Sequence, residues 1–173
     1  MTVCTGNICR SPMAEVVLRD RFEAAGLGGE VEIDSAGVSA EEDGNPIDPR
    51  AADVLRSAGY PVPEHRARQV TAAEIGQRDL LLPMTARHAR YLRTQAPDER
   101  SASRVRMWRS FDPAAPSVSG RDAVADEAEL DVEDPWYGDR DGFEATLQQV
   151  EAAADGIVEY VRAELARRRP SRV

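Results

Sequence analysis

The sequence contains no lysine: all 22 of its basic residues are arginine, a bias that reads as GC-rich coding. Cysteine and histidine are scarce too, with two of each at no metal-ligand spacing. That is poor material for a zinc site, and no metal or other cofactor is expected. The two cysteines are expected as free thiols, and the default compartment is the cytoplasm. No apolar run approaches the roughly 18–20 residues of a membrane span, and no basic-then-apolar leader opens the chain. Basic charge is outweighed: 31 Asp and Glu give a formal net charge of -9. Nucleic acid and anionic membrane are therefore not expected as partners, because both need a basic footprint that overcomes global repulsion. Any anion bound here has to be attracted locally. The run Arg167, Arg168, Arg169 reads as a solvated helix end, where cations complement the dipole.

What is present fits one domain over residues 1–173, with 42% apolar residues to build a core. Helical patterns alternate with short aliphatic runs and nothing repeats, which reads as α/β with a parallel sheet. Ser11 and Pro12 read as the N-cap and first turn of a helix on which Ala14, Val17, Leu18, Phe22 and Ala25 recur until Gly26. Val31–Asp34 is a candidate strand, and Asp48-Pro49 opens a helix through about Ala58. Thr71 with Glu74 forms a capping box, Asp79–Leu82 reads as a buried strand, and Thr85 caps a helix to about Gln95. Arg104–Met107 is expected as the last strand. From 112 to 133 the chain turns to Asp, Glu, Ala, Ser and Pro, a long acidic loop expected to be mobile. Asp141 is expected to cap a final helix whose Phe143, Leu147, Val150, Ala154, Ile157, Val161 and Leu165 form one apolar stripe against the sheet.

The chemistry is concentrated in CTGNICRS, Cys4–Ser11. A loop of small residues running from a strand into a helix N-terminus aims backbone N–H groups and a positive dipole end at one point, forming an anion cradle. Thr5, Gly6, Asn7, Ile8, Cys9, Arg10 and Ser11 would line it, with Gly6 supplying backbone freedom. Arg10 carries a planar fork suited to two phosphate oxygens. The field that holds phosphate also favours thiolate over thiol, making Cys4 a candidate nucleophile, with Ser11 placed to donate to its sulfur. Cys9, on the same loop, offers Cys4 a disulfide partner under peroxide.

VCTGNICRSPMAE (Val3–Glu15) resembles the phosphate-binding loop of the low-molecular-weight protein tyrosine phosphatases. The likeness continues through DSAG (Asp34–Gly37), GNPIDPRA (Gly44–Ala51), HRARQ (His65–Gln69) and DPWYG (Asp134–Gly138). The resemblance implies a doubly wound parallel sheet of four strands with helices on both faces. It also implies metal-free hydrolysis of phosphotyrosine in protein substrates, release of inorganic phosphate and a cysteinyl-phosphate intermediate. Cys4 then matches the nucleophile, Arg10 the group gripping the equatorial oxygens, and Asp134 the general acid. Asn7, Ser35 and His65, with Ser11 beside them, match the network that holds the loop in shape. Trp136 and Tyr137 would wall the cleft against an aromatic substrate, with Ile8 at its lip. The expected assembly is a monomer or weak dimer.

Three departures stand out. Only Met1, Thr2 and Val3 precede Cys4, so the first strand is very short or the start lies upstream. Glu41 falls near a position where the family often carries a cleft-closing aromatic, and Pro83 interrupts what is usually an aliphatic strand end. Among rival functions, a protein arginine phosphatase shares Thr5 but has a polar residue where this chain has Ile8. An arsenate reductase needs further cysteines beyond Cys9, and a phosphate-binding pseudoenzyme would not be expected to keep Cys4, Arg10 and Asp134 together.

Overall fold

A computed structural model describes residues 1–117 and 127–168, the side chain of Tyr137 excepted. Strand β1 (Thr2–Cys4) lies at the centre of a parallel sheet, between β2 (Ser35–Gly37) and β3 (Leu82–Pro83). Thr2 pairs with Ser35 on one side and Leu82 on the other. Side chains alternate across the sheet, as a two-residue period requires. Val3 and Leu81 enter one core cluster, while Cys4 and Leu82 enter the other. The Cys4 face is covered by α1 (Arg10–Ala24), α2 (Pro49–Ser57) and the long α6 (Arg140–Arg168). The opposite face is covered by α3 (Ala72–Gln77) and α4 (Ala86–Gln95), with the short α5 (Glu99–Ala102) packed beside them. No helix among the described residues is long and apolar enough to cross a membrane.

The expected fourth strand is reduced to a single parallel bridge between Leu81 and Val105. Leu81 accepts from Arg106 N–H at 2.9 Å and donates to the Arg104 carbonyl at 3.0 Å. The next residue of β3 facing that side is Pro83, which has no N–H to extend the ladder. Beyond the bridge the chain coils into a 3-10 turn at Trp108–Phe111, with Trp108 fully buried. Towards β1, Pro83 sits in register with Val3, because Leu82 and Met84 supply the hydrogen bonds on that side. The sheet thus has three strands where four were expected.

Other boundaries move as well. The second strand is Ser35–Gly37 and not Val31–Asp34, since β1 offers only Thr2–Cys4 as partners. The third is Leu82–Pro83, with Leu81 turned to the bridge, in place of Asp79–Leu82. Helix α1 starts at Arg10 with Cys9 at its N-cap, so Ser11 is not the cap and its hydroxyl is free for the loop. Helix α6 starts at Arg140, putting Asp141 inside its first turn. The expected caps at Asp48, Thr71 with Glu74, and Thr85 are all present. Of the acidic stretch 112–133, residues 118–126 lie outside the described set, as does Arg169 of the arginine run. The stretch is not uniformly loop: Glu127–Leu130 makes a 3-10 turn, Leu130 and Val132 are buried, and Arg93 grips Glu127 at 2.7 Å.

Candidate active site

The loop from Thr5 to Cys9 is turned inside out relative to an ordinary turn. Its carbonyls point away from the centre: Cys4 accepts from Val38 N–H, Thr5 from Ser39 N–H, Ile8 from Asp48 N–H and Asn7 from His65 Nε2. The backbone N–H groups of Thr5–Cys9 donate to no protein acceptor among the described residues. Five donors left without protein acceptors in the loop that enters the N-terminus of α1 are what an anion nest requires.

Asn7 makes that shape possible. It has φ +59°, the left-handed region that asparagine tolerates better than most residues. Gly6 was expected to supply this freedom, but it is not the residue in that region. Its missing Cβ instead leaves room for the Glu42 side chain, whose Cγ would lie 2.8 Å away. Asn7 is fully buried and satisfied: Nδ2 donates to Ser11 Oγ and Ser35 Oγ, each at 2.9 Å, and Oδ1 accepts from Arg68 N–H at 3.1 Å. His65 Nε2–H donates to the Asn7 carbonyl at 2.6 Å. Gly37 closes the underside, because a Cβ there would come within 2.5 Å of the Thr5 carbonyl oxygen. Asn7→Ala removes three side-chain hydrogen bonds and leaves a Cβ residue in the left-handed region. We expect a loss of roughly 2–4 kcal/mol in stability, measured as a lower urea midpoint at unchanged m-value. An unshifted midpoint would show that the loop holds its shape without this residue.

Inside the nest lies Cys4, nearly fully buried, with Sγ 3.0 Å from Ser11 Oγ. Ser11 Oγ accepts from Asn7, and its own hydrogen has two acceptors in reach, the Cys4 sulfur at 3.0 Å and the Ala36 carbonyl at 3.4 Å. Arg10 is buried and reaches the same centre. Nη1 donates to the Val132 carbonyl at 3.1 Å, Nη2 to Asp134 Oδ2 at 2.5 Å, and Nε has no hydrogen-bond partner among the described residues. The Asp134 side chain is 47% exposed, so this ion pair contributes about 1 kcal/mol or less and yields to a better-matched dianion. At Cys9, the helix N-cap, burial with the Asp48 charge behind it pushes the thiol well above the ordinary cysteine range.

A cavity of about 390 Å³ opens over this centre, lined by Cys4, Thr5, Gly6, Ile8, Cys9, Arg10, Glu41, Glu42, Arg87, Asp134 and Trp136. Trp136 is the one large apolar side chain exposed among the described residues. Ile8 is only 8% exposed and packs mainly into the core, showing the cavity one side and not standing at its lip. The Tyr137 side chain lies outside the described residues.

Three positions that sequence reasoning passed over complete the surroundings. Arg50 chelates Asp48 and donates to the Trp136 and Gly138 carbonyls at 3.3 and 3.2 Å, tying the Asp134 segment to α2. Arg68 contributes its backbone to Asn7 while its side chain holds Asp34 and Glu74. His88 reaches Thr5 from α4, 83 residues away in the chain. Such long-range contacts leave no local pattern to find.

Comparison with known proteins places this geometry. The family model for low molecular weight phosphotyrosine protein phosphatase matches residues 1–168. A low molecular weight protein-tyrosine-phosphatase of Streptomyces coelicolor is 51% identical over 160 residues, covering 92% of this chain and 91% of the relative. Low molecular weight protein-tyrosine phosphatase A of Mycobacterium tuberculosis is 46% identical over 169 residues, covering 98% and 94%. Among solved structures, a protein tyrosine phosphatase from Entamoeba histolytica superposes with a TM-score of 0.83 at 25% identity, covering 95% of this chain and 96% of that one. The chain belongs to the low molecular weight phosphotyrosine protein phosphatase family.

Proposed function

We propose that the protein hydrolyses phosphotyrosine in protein substrates, releasing inorganic phosphate through a cysteinyl-phosphate on Cys4 and using no metal ion. The observation that carries this reading is one cavity lined by Cys4, Arg10 and Asp134 together with a loop, Thr5–Cys9, whose five backbone N–H groups have no protein acceptor among the described residues. The incoming phosphoryl group takes the nest and the Arg10 fork, displacing Asp134 towards the leaving oxygen. The Cys4 sulfur gives up its proton and attacks phosphorus, the P–O bond breaks, and Asp134, which takes up a proton once released from Arg10, delivers it to the phenolic oxygen. Asp134 then accepts a proton from water as that water attacks phosphorus and the P–S bond breaks. Ser11 donates to the departing sulfur. Developing charge is met by fixed dipoles and a buried guanidinium, which need little reorganisation.

Both cysteines are free thiols, which supports a reducing, cytoplasmic setting. The enzyme acts as a monomer or weak dimer. The direct test is hydrolysis of p-nitrophenyl phosphate and a phosphotyrosine peptide with EDTA present throughout. Full activity is expected, and loss of activity on EDTA treatment would overturn the metal-free reading.

Ile8 tests the choice between phosphotyrosine and phosphoarginine. Its apolar flank on the cavity suits a flat ring and gives a guanidinium no polar partner. One such contact is worth about 1–3 kcal/mol, so the preference should be large yet adjustable by one substitution. Wild type is expected to favour phosphotyrosine over phosphoarginine on matched peptides, and Ile8→Thr to narrow the ratio of kcat/KM at least about tenfold. A wild-type preference for phosphoarginine would reverse the substrate assignment.

A further inference from the structure

A second line of hydrogen bonds reaches the cavity residue Thr5 from α4. His88 is 2% exposed, and both its ring nitrogens face hydroxyls: Nδ1 lies 2.9 Å from Thr85 Oγ1 and Nε2 2.9 Å from Thr5 Oγ1. Thr85 Oγ1 also accepts from the His88 backbone N–H at 3.3 Å, as the N-cap of α4. Thr5 Oγ1 also accepts from Arg10 Nη2 at 3.5 Å, and Thr5 is one of the residues lining the cavity.

Burial first, then the Arg10 and Arg87 charges, push the His88 imidazole down to about 3, so the ring is neutral at working pH. A neutral ring between two hydroxyls has two self-consistent arrangements. In one, Thr5 donates to Nε2 and Nδ1–H donates to Thr85, leaving only a lone pair of Thr5 towards the cavity. In the other, Thr85 donates to Nδ1 and Nε2–H donates to Thr5. The Thr5 oxygen then accepts from both Nε2 and Arg10, and its own hydrogen turns into the cavity. An oxyanion in the nest separates the two, since it is repelled by the lone pair and bound by the hydrogen.

We propose that His88 is a positioning residue which, as the Nε2–H tautomer backed by Thr85, holds the Thr5 hydroxyl as a donor to the oxygens of a bound phosphoryl group. The proposal rests on the phosphatase reading and adds to the nest a side-chain donor controlled from another helix. A hydrogen bond to a charged oxygen contributes enough to change binding by about tenfold or more.

Two measurements on the full chain test it. Thr5→Val, which keeps the side-chain shape, is expected to weaken inhibition by inorganic phosphate about tenfold or more, and Thr5→Ser to restore it to within about threefold. The nitrogen chemical shifts of His88 report its tautomer, and the only other histidine, His65, is assigned with His65→Gln. With phosphate bound, Nε2 should be the protonated nitrogen and Nδ1 the bare one. Thr5→Val binding phosphate like wild type, or His88 carrying its hydrogen on Nδ1 in the phosphate complex, overturns the relay. Wild-type turnover of p-nitrophenyl phosphate separates the two readings. An active enzyme with the wrong tautomer overturns the relay alone, whereas an inactive one that binds phosphate with Nε2 protonated overturns the phosphatase reading alone.

Discussion

Cys4→Ser is expected to lower turnover of p-nitrophenyl phosphate at least about 10⁴-fold while leaving phosphate affinity within a few-fold of wild type. The two halves of this expectation have separate causes. On the proposed reading affinity comes from the backbone N–H groups of Thr5–Cys9 and from Arg10, none of which the substitution touches. Attack resides in the sulfur, and a serine oxygen keeps its proton far more tightly at neutral pH than a thiol does. Ser11 at 3.0 Å cannot compensate, since a neutral hydroxyl is too weak a base to take the proton from another hydroxyl. Steady-state rates and a phosphate titration on the same preparation decide the matter. Near-normal turnover would remove Cys4 from the reaction, and lost phosphate binding would show that the variant had collapsed the loop.

Asp134→Asn should carry a different signature. A carboxyl that protonates the leaving oxygen contributes typically 10²–10⁴-fold, so kcat on phenyl phosphate should fall by that order. The fall should be smaller on p-nitrophenyl phosphate, whose leaving group needs less help. KM should fall with it. In the free protein Asp134 Oδ2 sits on Arg10 Nη2, so substrate binds by exchange, and an uncharged asparagine competes less well for the guanidinium. Asparagine also keeps the bond that Asp134 Oδ1 accepts from Trp136 N–H, so a residue serving only as a turn cap would show no change. Rates on the two esters check the prediction, and equal losses on both would deny Asp134 its role as acid.

What the sequence made legible was local. Asp48-Pro49, the Thr71 and Glu74 box and Thr85 mark helix starts through contacts within three residues, and each helix begins there. The apolar stripe of α6 is buried from Phe143 to Ile157, with Val161 and Leu165 half-buried. The loop was legible because its residues are contiguous, whereas Ser35 and His65 came only with the family resemblance, and the structure bonds both to Asn7, which bonds Ser11 beside Cys4. Strand limits were not, because Val31–Asp34 is as good a strand as Ser35–Gly37 until the register of a three-residue partner chooses between them. Arg50 and His88 were equally hidden. Each looks like an ordinary helix residue until the fold brings up Trp136 or Thr5, more than 80 positions away. Gly6 misled for a related reason: either Gly6 or Asn7 could take the left-handed turn, and the bonds from Arg68 and His65 select Asn7.

Pro83 also bears on what happens between molecules. A parallel sheet with an open margin is a template on which another extended chain can add itself, and three short strands with apolar cores on both faces would be vulnerable to this during folding. At the β3 margin the template is defective, since one step past Leu81 the donor that an incoming strand needs does not exist. The chain's own segment beyond Val105 stops zipping there, and a stranger's would stop at the same place. The missing hydrogen that shortens the sheet also guards its edge against intermolecular pairing.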